Sequence, residues 1–248
     1  MSALVGVLLA LFSLTAFAQA AQADYAREQR WADEITPAIL VGDPVQLALP
    51  EGRKFLGIYA PNSKARAGVV LVHGLGMHPD WGPVHPLRSQ LSEQGYATLS
   101  VQMPVLAAGI PGEQYPPLFP EAAARIAVAV QYLRNKGHDK IAIISHSYGA
   151  RMTNVLLNQA DAPAINAWVA IGIMGEYTNP ATFNAPVLDL YGEKDFPGVL
   201  DLAAARAAAI KPVRGSAQVS VAGADHFFTG MDNELVRSVK PFLDRATR

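Results

Sequence analysis

Gly68–His73 reads GVVLVH, a run with no polar side chain before its terminal histidine. A strand with one face in water alternates apolar and polar residues. An unbroken apolar run of this length therefore expects burial on both faces, the environment of a parallel sheet covered by helices. The rest of the chain keeps this character. Helix Val84–Glu93, strand Tyr96–Val101, helix Glu121–Asn135, strand Lys140–Ile144 and helix Gly149–Asn158 are read in turn. Strands Ile165–Ile173 and Val187–Tyr191, helix Leu200–Ile210, strand Ala217–Val221 and helix Asn233–Asp244 complete the series. Before it, Ala38–Val41, Val45–Leu49 and Phe55–Tyr59 read as short meandering strands separated by Gly-Asp-Pro and Pro-Glu-Gly turns. The expectation is an α/β fold with a mostly parallel central sheet and helices on both faces.

Composition narrows this further. The 248 residues are 50% hydrophobic and 17% charged, enough for one sizeable core, and no repeat or linker divides the chain after residue 23. Net charge is −1 with Lys and Arg scattered singly, so no basic face is available for nucleic acid or anionic lipid. Cysteine is absent, which excludes disulfides, thiolate metal sites, a cysteine nucleophile and a lipid-modified N-terminal cysteine. Residues 1–23 carry no charged side chain; Ala3–Ala18 is apolar and overlapping Ala-x-Ala sites follow. This reads as a signal peptide cleaved near residues 18–23, its apolar part short of the roughly 20 residues a membrane span needs. The expected mature protein spans residues 24–248, is periplasmic or secreted, and has no stable membrane insertion after cleavage.

Reactive residues cluster where strands end. A nucleophilic serine needs a base, an acid to orient the base, and donors for the oxyanion. In IAIISHSYGAR, Ser147 lies between a strand and a helix, with Gly149 two residues after it and Ser145 two before. A hydrolase elbow reads Gly-x-Ser-x-Gly there, so Ser145 replaces one glycine. Ser147 could alternatively cap the helix. His146 is expected to point away from it. Asp195, after VLDLYGEK, is the candidate acid or else a helix cap; its rivals are Asp189, within the strand, and Glu193 in the same loop. His226, in VAGADHFF, is the candidate base; Asp225, adjacent to it, rarely could face it. In His73-Gly74-Leu75-Gly76 the two glycines let backbone N–H groups approach a substrate oxygen, with His73 organising the loop.

Together VVLVHGLG, IISHSYGA, LDLYGEKD and GADHFF resemble the α/β-hydrolase superfamily, in the same chain order and over essentially the whole chain from Phe55. More narrowly, the chain resembles a poorly characterised group of exported bacterial α/β-hydrolase-like proteins. The resemblance implies a single-domain α/β-hydrolase fold, Ser147 as nucleophile, His226 as base, Asp195 as acid and the N–H groups of Leu75 and Tyr148 as oxyanion hole. It implies no cofactor and a small-molecule ester or acyl substrate. Carboxylesterase, peptidase and thioesterase chemistry share this triad, and a binding or envelope protein could keep the fold without turnover.

Other readings are weaker. His73, His78, Asp80 and His85 lack the spacing of a metal site and are interrupted by Gly, Pro and Trp. Gly74-x-Gly76 lacks the third glycine and the acidic residue of a dinucleotide site. Between Gly175 and Val187 there is no room for a large helical lid. The site is expected to be open, shaped by the Pro/Gly-rich Met103–Pro120 and by His78–Pro86. Their apolar groups (Met77, Trp81, Val105, Leu106, Tyr115, Leu118, Phe119) suit an apolar or amphipathic ester.

Overall fold

A computed structural model describes residues 22–248; the expected signal peptide lies outside the described residues except for Gln22 and Ala23. Eight strands form one sheet: β1 (Asp43–Ala48), β2 (Lys54–Ala60), β3 (Gly68–Val72), β4 (Ala97–Val101), β5 (Ile141–His146), β6 (Ala167–Ile171), β7 (Val187–Lys194) and β8 (Ala217–Asp225). Their spatial order is β1-β2-β4-β3-β5-β6-β7-β8. The β1–β2 hairpin is antiparallel to its neighbours, and every pairing from β4 to β8 is parallel. The helices are α1 (Tyr25–Ile35), α2 (Val84–Glu93), α3 (Phe119–Asn135), α4 (Tyr148–Leu157), α5 (Pro197–Leu200), α6 (Ala203–Ile210) and α7 (Asp232–Ala246).

The apolar runs are explained by the two-residue period of a strand. In β3, Val70 and Val72 enter the core beneath α3 and α4, while Val69 and Leu71 enter the one beneath α2 and α7. Ile141 and Ile143 against Ala142 and Ile144 repeat this in β5, as do Trp168 and Ala170 against Val169 and Ile171 in β6. Both faces are apolar because both are covered. The β6–β7 connection holds one short turn, Pro180–Thr182, and no lid.

Three expectations change. Ala38–Val41 is not a strand: Thr36–Ala38 is a 3-10 turn containing Pro37, β1 already forms the sheet's edge, and Leu40 is 95% exposed. Leu200–Ile210 is not one helix. Arg206 Nη1 takes the Val199 carbonyl at 2.8 Å, the acceptor that a continuous helix would offer to the Ala203 N–H, and α5 and α6 are separate. Finally, Met103–Pro120 is not an exposed apolar loop. Two 3-10 turns fold it; Met103, Leu106, Tyr115, Leu118 and Phe119 are buried in the α3–α4 core, and Val105 is buried as well. The added helix α1 starts at Asp24, whose carboxylate accepts the Arg27 N–H at 2.9 Å.

One polar contact sits inside the core. The Trp168 indole N–H donates to Ser145 Oγ at 2.7 Å, and neither residue is exposed. Ser145 thus supplies an acceptor that glycine could not. Ser145→Ala should destabilise the protein by about 1–3 kcal/mol in urea unfolding, the cost of an unpaired buried donor. In a Trp168→Phe background the same substitution should cost less than about 1 kcal/mol; equal costs in both backgrounds would refute the pairing.

Candidate active site

β5 ends at His146 and α4 begins at Tyr148, so one residue must turn the chain. Ser147 does so at φ 57°, ψ −124°, a conformation that L-residues with side chains avoid. Its N–H donates to the Ile171 carbonyl on β6 at 2.8 Å and its carbonyl accepts the Ala150 N–H at 3.0 Å. Gly149 is required on steric grounds: a Cβ there would lie 2.4 Å from the His73 carbonyl oxygen. The Ser147 side chain makes no cap bond to α4, which removes the helix-cap reading.

Instead Ser147 Oγ lies 2.9 Å from His226 Nε2. His226 Nδ1 lies 2.5 Å from Asp195 Oδ1. With Nδ1 donating to the carboxylate, Nε2 is left to accept the serine proton. Asp195 also accepts the Phe196 N–H at 2.7 Å and is otherwise buried. The rival acids are engaged elsewhere. Asp189 pairs with Arg206 at 3.0 Å and accepts from Gln218 at 2.6 Å. Glu193 accepts the Gly223 N–H at 2.8 Å. Asp225 accepts the Phe227 and Thr229 N–H groups at 3.0 and 2.9 Å and so shapes the loop carrying His226.

The loop after β3 passes directly beside the serine, since a Cβ on Gly74 would lie 3.1 Å from Ser147 Cβ. Leu75 follows in that loop and Tyr148 opens α4; among the described residues neither N–H has a hydrogen-bond partner. Surface hollows also lie away from these residues. One of about 370 Å³ between α1 and the β1–β2 hairpin is lined by Tyr25, Glu28, Arg53 and Gln102 and holds none of these residues. His78, Asp80 and His85 do not converge on an ion either: Asp80 accepts from His85 Nδ1 at 2.8 Å and from Arg88.

Solved structures share this architecture. An esterase from Pyrococcus furiosus superposes with a TM-score of 0.67 at 15% identity, over 83% of this chain and 93% of its own. A dienelactone hydrolase from Anabaena variabilis gives 0.66 at 19% identity, over 82% and 96%. A putative α/β hydrolase from Agrobacterium tumefaciens gives 0.64 at 19% identity, over 82% and 95%. The chain has the α/β-hydrolase fold. A family model described as "Protein of unknown function (DUF3530)" matches residues 2–124, a stretch that includes the Gly74–Gly76 loop and ends before Ser147. No curated protein matches in sequence.

Around the reactive groups, the α/β-hydrolase fold of this chain uses residues that its sequence does not mark. Gly172, just after β6, has φ 54°, and a Cβ there would come within 3.0 Å of the His226 ring and 3.2 Å of Asp195 Oδ2. Its signal was a glycine at a strand end, the same sign that marked Gly74. Arg27 on α1 donates to the Leu106 carbonyl at 2.7 Å and the Gly76 carbonyl at 3.4 Å, tying down the loop beside the serine. Nothing local could announce it, because its acceptors are 79 and 49 residues away.

Two histidines flank the site as neutral groups. His73 Nδ1 donates to the Gly74 carbonyl at 2.8 Å and Nε2 accepts the Met103 N–H at 2.9 Å, the loop-organising part expected of it. His146 makes no hydrogen bond to Ser147 and donates from Nε2 to the His226 carbonyl at 2.9 Å. Burial pushes each down to about 3. The unfolded chain therefore takes up protons below about 6.5 that the folded chain refuses, so stability is full above that pH and is lost as pH falls toward 3. Between pH 6.5 and 5 the unfolding free energy should fall by roughly 1 kcal/mol per pH unit for each histidine. His146→Gln should remove its share of that slope in urea titrations; an unaltered slope would mean that the imidazole titrates alike in both states.

Proposed function

We propose that the protein is an exported serine hydrolase, a carboxylesterase acting on small or amphipathic esters. The observation that carries this reading is the hydrogen-bonded series Ser147–His226–Asp195, at 2.9 and 2.5 Å, on a strained strand-to-helix turn. A fold retained without turnover has no need to keep a serine hydroxyl on a buried imidazole, so the contact favours catalysis. The esterase and the dienelactone hydrolase among the similar structures agree with ester chemistry without specifying it here.

In this mechanism Ser147 Oγ attacks the ester carbonyl while its proton passes to His226 Nε2. Asp195 holds the Nδ1 proton and stabilises the imidazolium. The Leu75 and Tyr148 N–H groups receive the oxyanion, at the start of α4 where the helix dipole favours negative charge. As the C–O bond breaks, His226 returns the proton to the leaving alcohol. A water then gives a proton to the same nitrogen and attacks the acyl-serine; collapse releases the acid and returns the proton to Ser147. No cofactor enters. The leader read at residues 1–23 supports a periplasmic or secreted location.

A fluorophosphonate probe should label the mature protein once, at Ser147, and fail to label Ser147→Ala. Asp195→Asn should lower kcat on short-chain esters by on the order of 10⁴-fold, through the wrong imidazole tautomer. Undiminished labelling of Ser147→Ala, or full esterase activity in His226→Ala, would remove the assignment. For export, the periplasmic protein should begin at one of residues 19–24 by N-terminal sequencing; retention of the full-length chain in the cytoplasm would count against it.

A further inference from the structure

Resting on the esterase reading, the surroundings of His226 bear on which half of an ester the protein selects. Three aromatic rings pack against its imidazole. His146, buried, lies at a ring-centroid distance of 4.7 Å. Phe196 lies at 4.3 Å and 30°, yet is 45% exposed. Phe227 meets the ring edge-on at 5.0 Å. Trp81, 40% exposed, is edge-on to Phe227 at 5.4 Å and so continues the aromatic surface outward. Among the described residues only four large hydrophobic side chains are exposed, and two of them, Trp81 and Phe196, are here. Exposed aromatic surface is costly in water, and its concentration beside one reactive imidazole calls for an occupant.

Proton balance identifies that occupant. When the tetrahedral intermediate collapses, the C–O bond breaks and the proton on His226 Nε2 goes to the departing alkoxide oxygen. That oxygen must lie within hydrogen-bond reach of Nε2, about 2.6–3.2 Å. The acyl carbon stays bonded to Ser147 Oγ. The substituent on the departing oxygen therefore lies beside the imidazole, where Phe196 and, through Phe227, Trp81 are exposed while His146 is buried. We propose that these three side chains bind the alcohol half of the ester and favour aryl or other flat apolar alcohols. The acyl half makes no use of them.

Two acetate esters isolate this effect, because both give the same acetyl-enzyme. For the mature protein and for Trp81→Ala and Phe196→Ala, kcat/KM is measured on 1-naphthyl acetate and ethyl acetate. The naphthyl-to-ethyl ratio should fall about tenfold in each variant, the worth of one lost aromatic contact. Trp81→Phe should restore most of it. Trp81 meets Phe227 rather than the imidazole, and a displaced base would slow both esters and leave their ratio unchanged. A ratio that stays at the unmutated value, with both esters slowed alike, overturns the inference and leaves the esterase reading standing. Failure of the unmutated protein to form an acetyl-enzyme from either ester overturns both.

Discussion

A serine held at positive φ between a strand and a helix needs its neighbours to hold it there, at a strain of about 1–3 kcal/mol. Here the restraint is the contact between the first turn of α4 and the end of β3. The His73 carbonyl leaves room for a hydrogen and nothing larger at Gly149. That contact sets the height of α4 over the sheet, and with it the direction of Ser147 Oγ. The β6 carbonyl of Ile171 fixes the serine from the other side. Since β3, β5 and β6 are adjacent and parallel, their ends converge on one edge. The loops bearing Gly74, Ser147 and Gly172 are neighbours for that reason alone.

The electrostatics follow from the same packing. In the proposed mechanism His226 becomes an imidazolium beside Asp195, and a second positive charge at the 4.7 Å spacing of His146 would oppose it by a few kcal/mol at an effective dielectric of about 20. Burial keeps His146 neutral instead. It can then support the His226 loop through the carbonyl without competing for the carboxylate. His73 does the equivalent for the loop after β3.

How much of this was legible in the sequence depended on whether the signal was local. Strands buried on both faces announce themselves as β-branched runs, and GVVLVH and IAIIS were read to within a residue or two. The grouping of Ser147, Asp195 and His226 was legible because each follows such a strand. Helix α1 shows no apolar run in the sequence: it is mostly polar, and the residue it buries is a charged one, Glu28. The Met103–Pro120 segment misled because Pro and Gly suggested a loop, while its apolar side chains belonged to the core. Ser145 looked like a defect in the elbow. Only the pairing β5–β6, which sets Trp168 beside it, shows the hydroxyl as a buried acceptor. Arg27 acts across chain separations that no local pattern spans, and the strand-end glycine Gly172 does not show from sequence which ring it faces.

β7 and β8 run past the other strands and stay paired to Lys194 and Asp225, with Gly192 so close to β8 that a Cβ would lie 2.4 Å from the Ala224 carbonyl oxygen. Asp195 and His226 thus ride on the ends of a single two-stranded ribbon, while Ser147 follows β5, two strands inward from β7. β8 is also an edge strand, and eight of its nine residues are exposed or half-buried. Fraying of that edge would carry Asp195 and His226 away as a unit and leave the serine turn and the inner strands in place. The Asp195–His226 pair therefore hangs on an edge strand, and the margin that matters for it is the cohesion of that ribbon rather than the stability of the whole core.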